Sequence, residues 1–129
     1  MKIYLAARVS RKSELCKYAD ELRAAGHDVT SRWLGQHDLS PYEDKTPEER
    51  QVCGEHDLAD VLRSDCVVSF TEDADIPNTS RGGRHVELGI GIAAKKILVI
   101  VGPRENVFHW LPGIKIVETW PDCMRLIGR

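Results

Sequence analysis

The chain has 129 residues, 42% of them hydrophobic and 29% charged, with a formal net charge of -2. That is apolar material for one core, so one domain spanning residues 1–129 is expected rather than two. The near-neutral balance excludes a whole-chain attraction to nucleic acid or to a membrane surface, so any anion site must be local.

No apolar stretch approaches the length needed to span a bilayer, and no secretory leader pattern follows Met1. Cys16, Cys53, Cys66 and Cys123 form no CxxC pair, and no histidine stands at metal-finger spacing from them. They read as free thiols of a cytoplasmic protein.

Residues 2–7 (KIYLAA) are a short apolar run, the signature of a buried strand. Ser10 is placed to cap a helix reaching about Ala25, with Leu15, Tyr18, Ala19 and Leu22 at helical spacing and Gly26 as its stop. Residues 27–33 (HDVTSRW) alternate and predict a second strand. Residues 34–45 are polar, contain Gly35 and Pro41, and form the longest loop, expected to border the site. Thr46 opens the next helix: Pro47 sits at its first position and Glu49 completes a capping box. Val52, Ala59 and Leu62 are its expected inner stripe.

Residues 65–71 (DCVVSFT) predict a central strand, and residues 72–80 an acidic loop. A helix over residues 82–95 is opened by two glycines and expected to pack through Val86, Ile90 and Ala93. Residues 97–101 (ILVIV) are apolar throughout, as in a strand covered on both faces. A loop with one helical turn follows over residues 103–112. Residues 115–119 predict a fifth strand, and residues 121–127 a last helix. Strands alternating with helices define an α/β protein: a Rossmann/flavodoxin-like parallel sheet of about five strands, with helices on both faces. On such sheets ligands bind beyond the carboxyl ends of the strands.

The segment Ser80-Arg81-Gly82-Gly83-Arg84-His85-Val86-Glu87-Leu88-Gly89 lies at such an end and opens a helix. Its glycines and helix N-terminus suit an anion, and Arg81 and Arg84 add positive charge. It lacks the Gly-Lys-Ser/Thr ending of a triphosphatase loop. The same pattern also fits a glycine-punctuated turn with solvated arginines. Glu87, among apolar helix neighbours, is either a solvated face residue or a carboxylate held for function. Asp57 and Asp60, three apart, can lie near one helix face. No array of histidines or carboxylates supports a metal site.

Taken in order, three blocks resemble the nucleoside 2-deoxyribosyltransferase family and its hydrolase relatives, the nucleoside-monophosphate N-glycosidases. They are Tyr4-Leu5-Ala6-Ala7, then His56-Asp57-Leu58 through Ser64-Asp65-Cys66-Val67-Val68, and then Gly83-Arg84-His85-Val86-Glu87-Leu88-Gly89. A weaker fourth is Glu105-Asn106-Val107. The resemblance covers residues 2–102.

It implies that Glu87 is the nucleophile, Tyr4 the tyrosine that positions it, and Asp57 the aspartate on the base side of the pocket. Gly83 falls on the glycine of the phosphate- or sugar-binding turn. Asn106 falls on a residue that reaches a neighbouring subunit's site, which implies a homodimer or larger assembly with shared pockets. The implied substrate is a small-molecule nucleoside or nucleotide, and neither a metal nor an organic cofactor is implied.

Two departures stand out. Transferases proper often carry an acidic residue six positions before the nucleophile, where this chain has Arg81. The family's glycine-rich first loop reads Ala7-Arg8-Val9-Ser10-Arg11 here. Both changes add positive charge where the sugar's 5′ end should lie. They make Ala7, Arg8, Ser10, Arg11, Arg81 and Arg84 candidate contacts for a 5′-phosphate. The competing expectation pairs these arginines with the acidic loop at Glu72–Asp75. The reading as a whole is cleavage or transfer at an N-glycosidic bond through a covalent glycosyl-enzyme on Glu87. The alternative is a nucleotide-sensing domain on the same scaffold without turnover. Trp33, Trp110 and Trp120 are expected in the core, at a subunit interface or on a partner surface.

Overall fold

The computed structural model describes residues 1–35, 42–77 and 81–128. Part of the long loop (residues 36–41) and Ser80 of the glycine-rich segment lie outside the described residues. Five strands form one parallel sheet: β1 (Lys2–Ala6), β2 (Asp28–Val29), β3 (Cys66–Phe70), β4 (Ile97–Val101) and β5 (Lys115–Val117). Their order is β2-β1-β3-β4-β5, so the strand order reverses between β1 and β3. This is the Rossmann/flavodoxin-like arrangement, with its crevice at that switch point.

The helices are α1 (Lys12–Ala24), α2 (Pro47–Leu62), α3 (Gly83–Ala93) and α4 (Trp120–Ile127). The strand pleat sends alternate side chains to opposite faces. Ile3, Leu5, Cys66, Val68, Phe70, Val99 and Val101 pack against Leu15, Ala19 and Leu22 of α1 and Trp120 and Cys123 of α4. Tyr4, Ala6, Val67, Leu98 and Ile100 pack against Val61 of α2 and Leu88 of α3. Tyr4 therefore faces α2 and α3, the two helices that carry the candidate carboxylates.

The capping box at α2 forms as the sequence predicts: the Thr46 hydroxyl accepts from the Glu49 N–H and the Glu49 carboxylate from the Thr46 N–H. Ser10, by contrast, does not cap α1. A 3-10 turn (Val9–Arg11) precedes that helix, and the Ser10 hydroxyl accepts from Arg8 Nε at 2.9 Å. The second strand is also shorter than residues 27–33. After Val29 the Ser31 hydroxyl takes the Leu5 N–H at 2.7 Å, so a side chain replaces the backbone ladder before a 3-10 turn at Arg32–Gly35.

Two helix faces differ from the predicted stripes. Val52, Ala59 and Leu62 of α2 are exposed, and Asp60 and Val61 are buried instead. The inversion is possible because Asp60 is neutralised in place: it accepts from Arg32 Nε at 2.8 Å, from the Arg32 N–H at 2.9 Å and from Arg63 at 3.1 Å. On α3, Val86 and Ala93 point outward while Arg84, Leu88 and Gly91 are buried. A Cβ at Gly91 would lie 2.9 Å from Val67 Cγ2. The absence of that atom lets α3 lie close against β3.

All four cysteines are free. Among the described residues, no helix is long and apolar enough to cross a membrane.

Candidate active site

Tyr4 is fully buried at the middle of β1, yet its hydroxyl has a partner. It donates to Glu87 Oε2, one turn into α3. A buried phenol needs such an acceptor, and a half-buried carboxylate needs such a donor, so each fixes the other. Burial and the negative charges of Glu87 and Asp57 hold the Tyr4 phenol above its usual range, so it stays a donor.

Burial also pushes the Glu87 carboxyl up to about 8, with Asp57 adding to the rise and the Tyr4 hydrogen bond opposing it. Asp57, on the α2 face turned towards this pair, is half-buried. Its carboxyl is raised to about 6, by burial first and by the nearby Asp60 charge second, with His56 and Arg32 pulling it back. The site therefore brings together two raised carboxyls, Glu87, oriented by the phenol, at about 8 and Asp57 at about 6. Environments that separate two carboxyls in this way are suited to dividing nucleophile and acid roles.

The remaining sequence-predicted residues fall around this centre. Ala7 is buried just past the end of β1. Arg8 lies 4.0 Å from Glu72. Arg11 grips Glu14 through two bonds of 3.0 and 2.8 Å, reaches Thr71 O and Glu72 at 3.4 Å each, and lies over the Phe70 ring. Arg81 is exposed, bonds the Glu43 carboxylate and stacks over Tyr42. Arg84 has no exposed side chain and donates to both Glu105 oxygens, at 2.7 and 2.9 Å.

Each of the four arginines thus has a carboxylate partner: Glu72 of the acidic loop for Arg8, Glu14 with Glu72 for Arg11, Glu43 for Arg81 and Glu105 for Arg84. Gly82 supplies the positive φ (84°) that turns the chain into α3, and a Cβ on Gly83 would meet open space. Asn106 caps the 3-10 turn Val107–Trp110 by accepting from the Phe108 N–H, with Nδ2 3.3 Å from His109 Nε2.

Glu105 was not singled out as a site residue on its own, although it binds the rim together. It holds Arg84, accepts the Glu72 N–H at 3.2 Å, and lies 3.8 Å from His85. Its position in the loop that follows β4, four residues past a strand carboxyl end, was the available signal. Asp60 shared a helix face with Asp57 in the sequence reading, but nothing in its spacing disclosed Arg32 as a partner from another element. Among the described residues, no group of three or more His, Cys, Asp or Glu side chains could hold a metal ion.

The fold and the phenol–carboxylate centre define a class: a Rossmann-like α/β domain with a protonatable carboxylate pair on the α2–α3 face of its sheet. Solved structures give that class its relatives. The chain is similar to a 2-deoxyribosyltransferase from the psychrotolerant bacterium Bacillus psychrosaccharolyticus, at 25% identity and a TM-score of 0.72, over 95% of this chain and 90% of that one. It shares the fold of the CMP N-glycosidase of Clostridium botulinum, at 15% identity and a TM-score of 0.61, over 98% of each chain. The likeness to the nucleoside 2-deoxyribosyltransferase family and its N-glycosidase relatives, read from three ordered blocks of sequence, is therefore borne out in three dimensions. No protein-family model and no curated protein sequence matches the chain.

Proposed function

We propose that this chain is an enzyme that cleaves or transfers the N-glycosidic bond of a nucleoside, or of its 5′-monophosphate, through a glycosyl-enzyme on Glu87. The observation that carries the reading is the Tyr4 hydroxyl bonded to the half-buried Glu87 carboxylate, with Asp57 close enough to raise it. In the first step the ionised Glu87 carboxylate attacks C1′ of the sugar. The C1′–N bond breaks, its electron pair leaves on the base nitrogen, and the Asp57 carboxyl supplies the proton. Water or a second base then attacks C1′ and releases Glu87. Tyr4 holds the attacking oxygen in line throughout.

A 5′-phosphate would meet Arg8, Ser10, Arg11, Arg81, Arg84 and the Gly83 end of α3, with Ala7 forming the turn beneath. The carboxylate partners of these arginines set a condition: a phosphate must displace Glu72, Glu14, Glu43 or Glu105 to be gripped by them. Asn106 serves a neighbouring copy's pocket in a homodimer or larger assembly, a reading supported by the exposed Val107 and Phe108 beside it. The free thiols fit a cytoplasmic enzyme.

The test is a panel of nucleosides and 5′-monophosphates, with and without an acceptor base, followed by chromatography. Free base from monophosphates alone identifies a hydrolase, and base exchange identifies a transferase. Glu87→Ala should abolish base release while leaving substrate binding largely intact; unchanged turnover in that variant ends the nucleophile assignment. Arg81→Ala should weaken monophosphates far more than free nucleosides, and equal loss for both removes the phosphate contact.

A further inference from the structure

β2 ends at Val29, so the β1 edge beyond it lacks a strand partner at Leu5. Two side chains replace the ladder there. Ser31 Oγ takes the Leu5 N–H at 2.7 Å, and the Trp33 indole N–H donates to Leu5 O at 3.0 Å. The indole is thereby fixed to the residue that follows Tyr4.

Its chain neighbour Arg32 is fixed to α2: its N–H and guanidinium bond Asp60 at 2.9 and 2.8 Å, and Nη2 reaches His56 O at 3.4 Å, one residue before Asp57. The ring packs against both core clusters, on either face of the sheet. It nonetheless remains only half-buried, whereas Trp120 is buried. With its indole N–H bonded to Leu5, next to Tyr4, and its neighbour Arg32 bonded to α2 beside Asp57, Trp33 is a fixed, partly exposed apolar ring near both residues.

We propose that the exposed part of the Trp33 indole is the platform on which the leaving base stacks, setting the ring beside the Asp57 carboxyl. This inference rests on the N-glycosidic reading above and names the residue that binds the base. Stacking of a base on an aromatic side chain tolerates any base, because every base has a π-face. The platform therefore gives affinity, while discrimination among bases falls to other groups. Both the bound substrate and the transition state stack, so its loss raises KM more than it lowers kcat.

The experiment has two readouts. Intrinsic tryptophan fluorescence is titrated with adenine and with cytosine as free bases, for wild type and Trp33→Phe. Quenching in wild type that disappears in Trp33→Phe is expected; quenching that persists in Trp33→Phe overturns the platform. In turnover assays Trp33→Leu should raise KM about 10- to 100-fold, with Trp33→Phe recovering most of the loss because a ring is restored. A fall in kcat with KM unchanged, or no rescue by Phe, marks a structural role and overturns the proposal. Trp33-dependent quenching in a protein that cleaves nothing keeps the platform and rejects the N-glycosidic reading. Turnover that is indifferent to Trp33 does the reverse.

Discussion

The Tyr4 hydroxyl, from the middle of β1, donates to Glu87 Oε2 on α3, across 83 positions of sequence. The bond works against the burial that drives Glu87 towards its neutral form. Removing it should therefore act twice: the carboxylate loses its fixed direction, and its carboxyl rises still further. Tyr4→Phe keeps the ring and hence the packing. We expect kcat/KM to drop roughly 10- to 100-fold, the worth of one hydrogen bond to a charged group. The upper limb of its pH profile, which follows Glu87, should also move to higher pH. A variant as active as wild type would separate Tyr4 from the chemistry.

The two carboxyls predict the pH dependence itself. In the proposed mechanism the productive form has Glu87 ionised and Asp57 protonated, although Glu87 titrates at about 8 and Asp57 at about 6. The product of the two fractions is still bell-shaped, with limbs near 6 and 8, and the active share between them is only about 1%. In Asp57→Asn no acid remains to lose. The descending limb should vanish and the reduced rate should climb with pH to a plateau. A wild-type kcat/KM flat from about pH 5 to 9 would falsify the assignment of these roles.

The same burial predicts a cost to folding. A carboxyl whose folded value is raised contributes no penalty below its unfolded value of 4.5, where both states are protonated. Between 4.5 and about 8 the unfolded chain ionises while the folded one keeps its proton, so stability falls as pH rises. The slope is at most about 1.4 kcal/mol per pH unit. Glu87→Gln removes the titration and retains an acceptor for Tyr4. Its denaturation midpoint should exceed that of wild type at pH 8 and converge with it below about pH 4.5. A variant less stable at pH 8 would mean that the carboxylate is held by more than Tyr4.

The alternation of strands and helices was legible because each element carried local signals, such as the apolar run of β4 and the capping box of α2. The inner faces of α2 and α3 were not, and for one reason. Both helices turn site or ion-paired residues towards the sheet: Asp57 and Asp60 on α2, Arg84 and Glu87 on α3. A hydrophobic stripe is sought where a helix is apolar, and here the polar residues are inside because partners from other elements satisfy them. Arg32 lies 28 residues from Asp60, and Glu105 lies 21 from Arg84. Spacing within one helix cannot disclose such partners. Glu87, Asp57 and Tyr4 were reached instead through the ordered family blocks, which encode the tertiary pairing that periodicity omits.

Gly91 offers a way to move Glu87, the proposed nucleophile, without touching it. It lies four residues after Glu87, on the buried face of α3, where an added Cβ would lie 2.9 Å from Val67 Cγ2 and 3.0 Å from Leu98 Cδ2. Both contacts are branched side chains inside a packed layer, so the helix must shift outward or the two residues must leave their rotamers. Alanine favours the helix over glycine by up to about 1 kcal/mol, which partly offsets an overpacking cost of about 1–3 kcal/mol. Gly91→Ala should therefore lose at most about 2 kcal/mol of stability and remain folded. The displacement at Glu87 matters more, because a misplacement of about 1 Å can cost ~100-fold in rate. A folded Gly91→Ala variant with kcat lowered far beyond its loss of stability is expected. Full activity would show that α3 can pivot on β3 while the Tyr4–Glu87 bond holds its geometry.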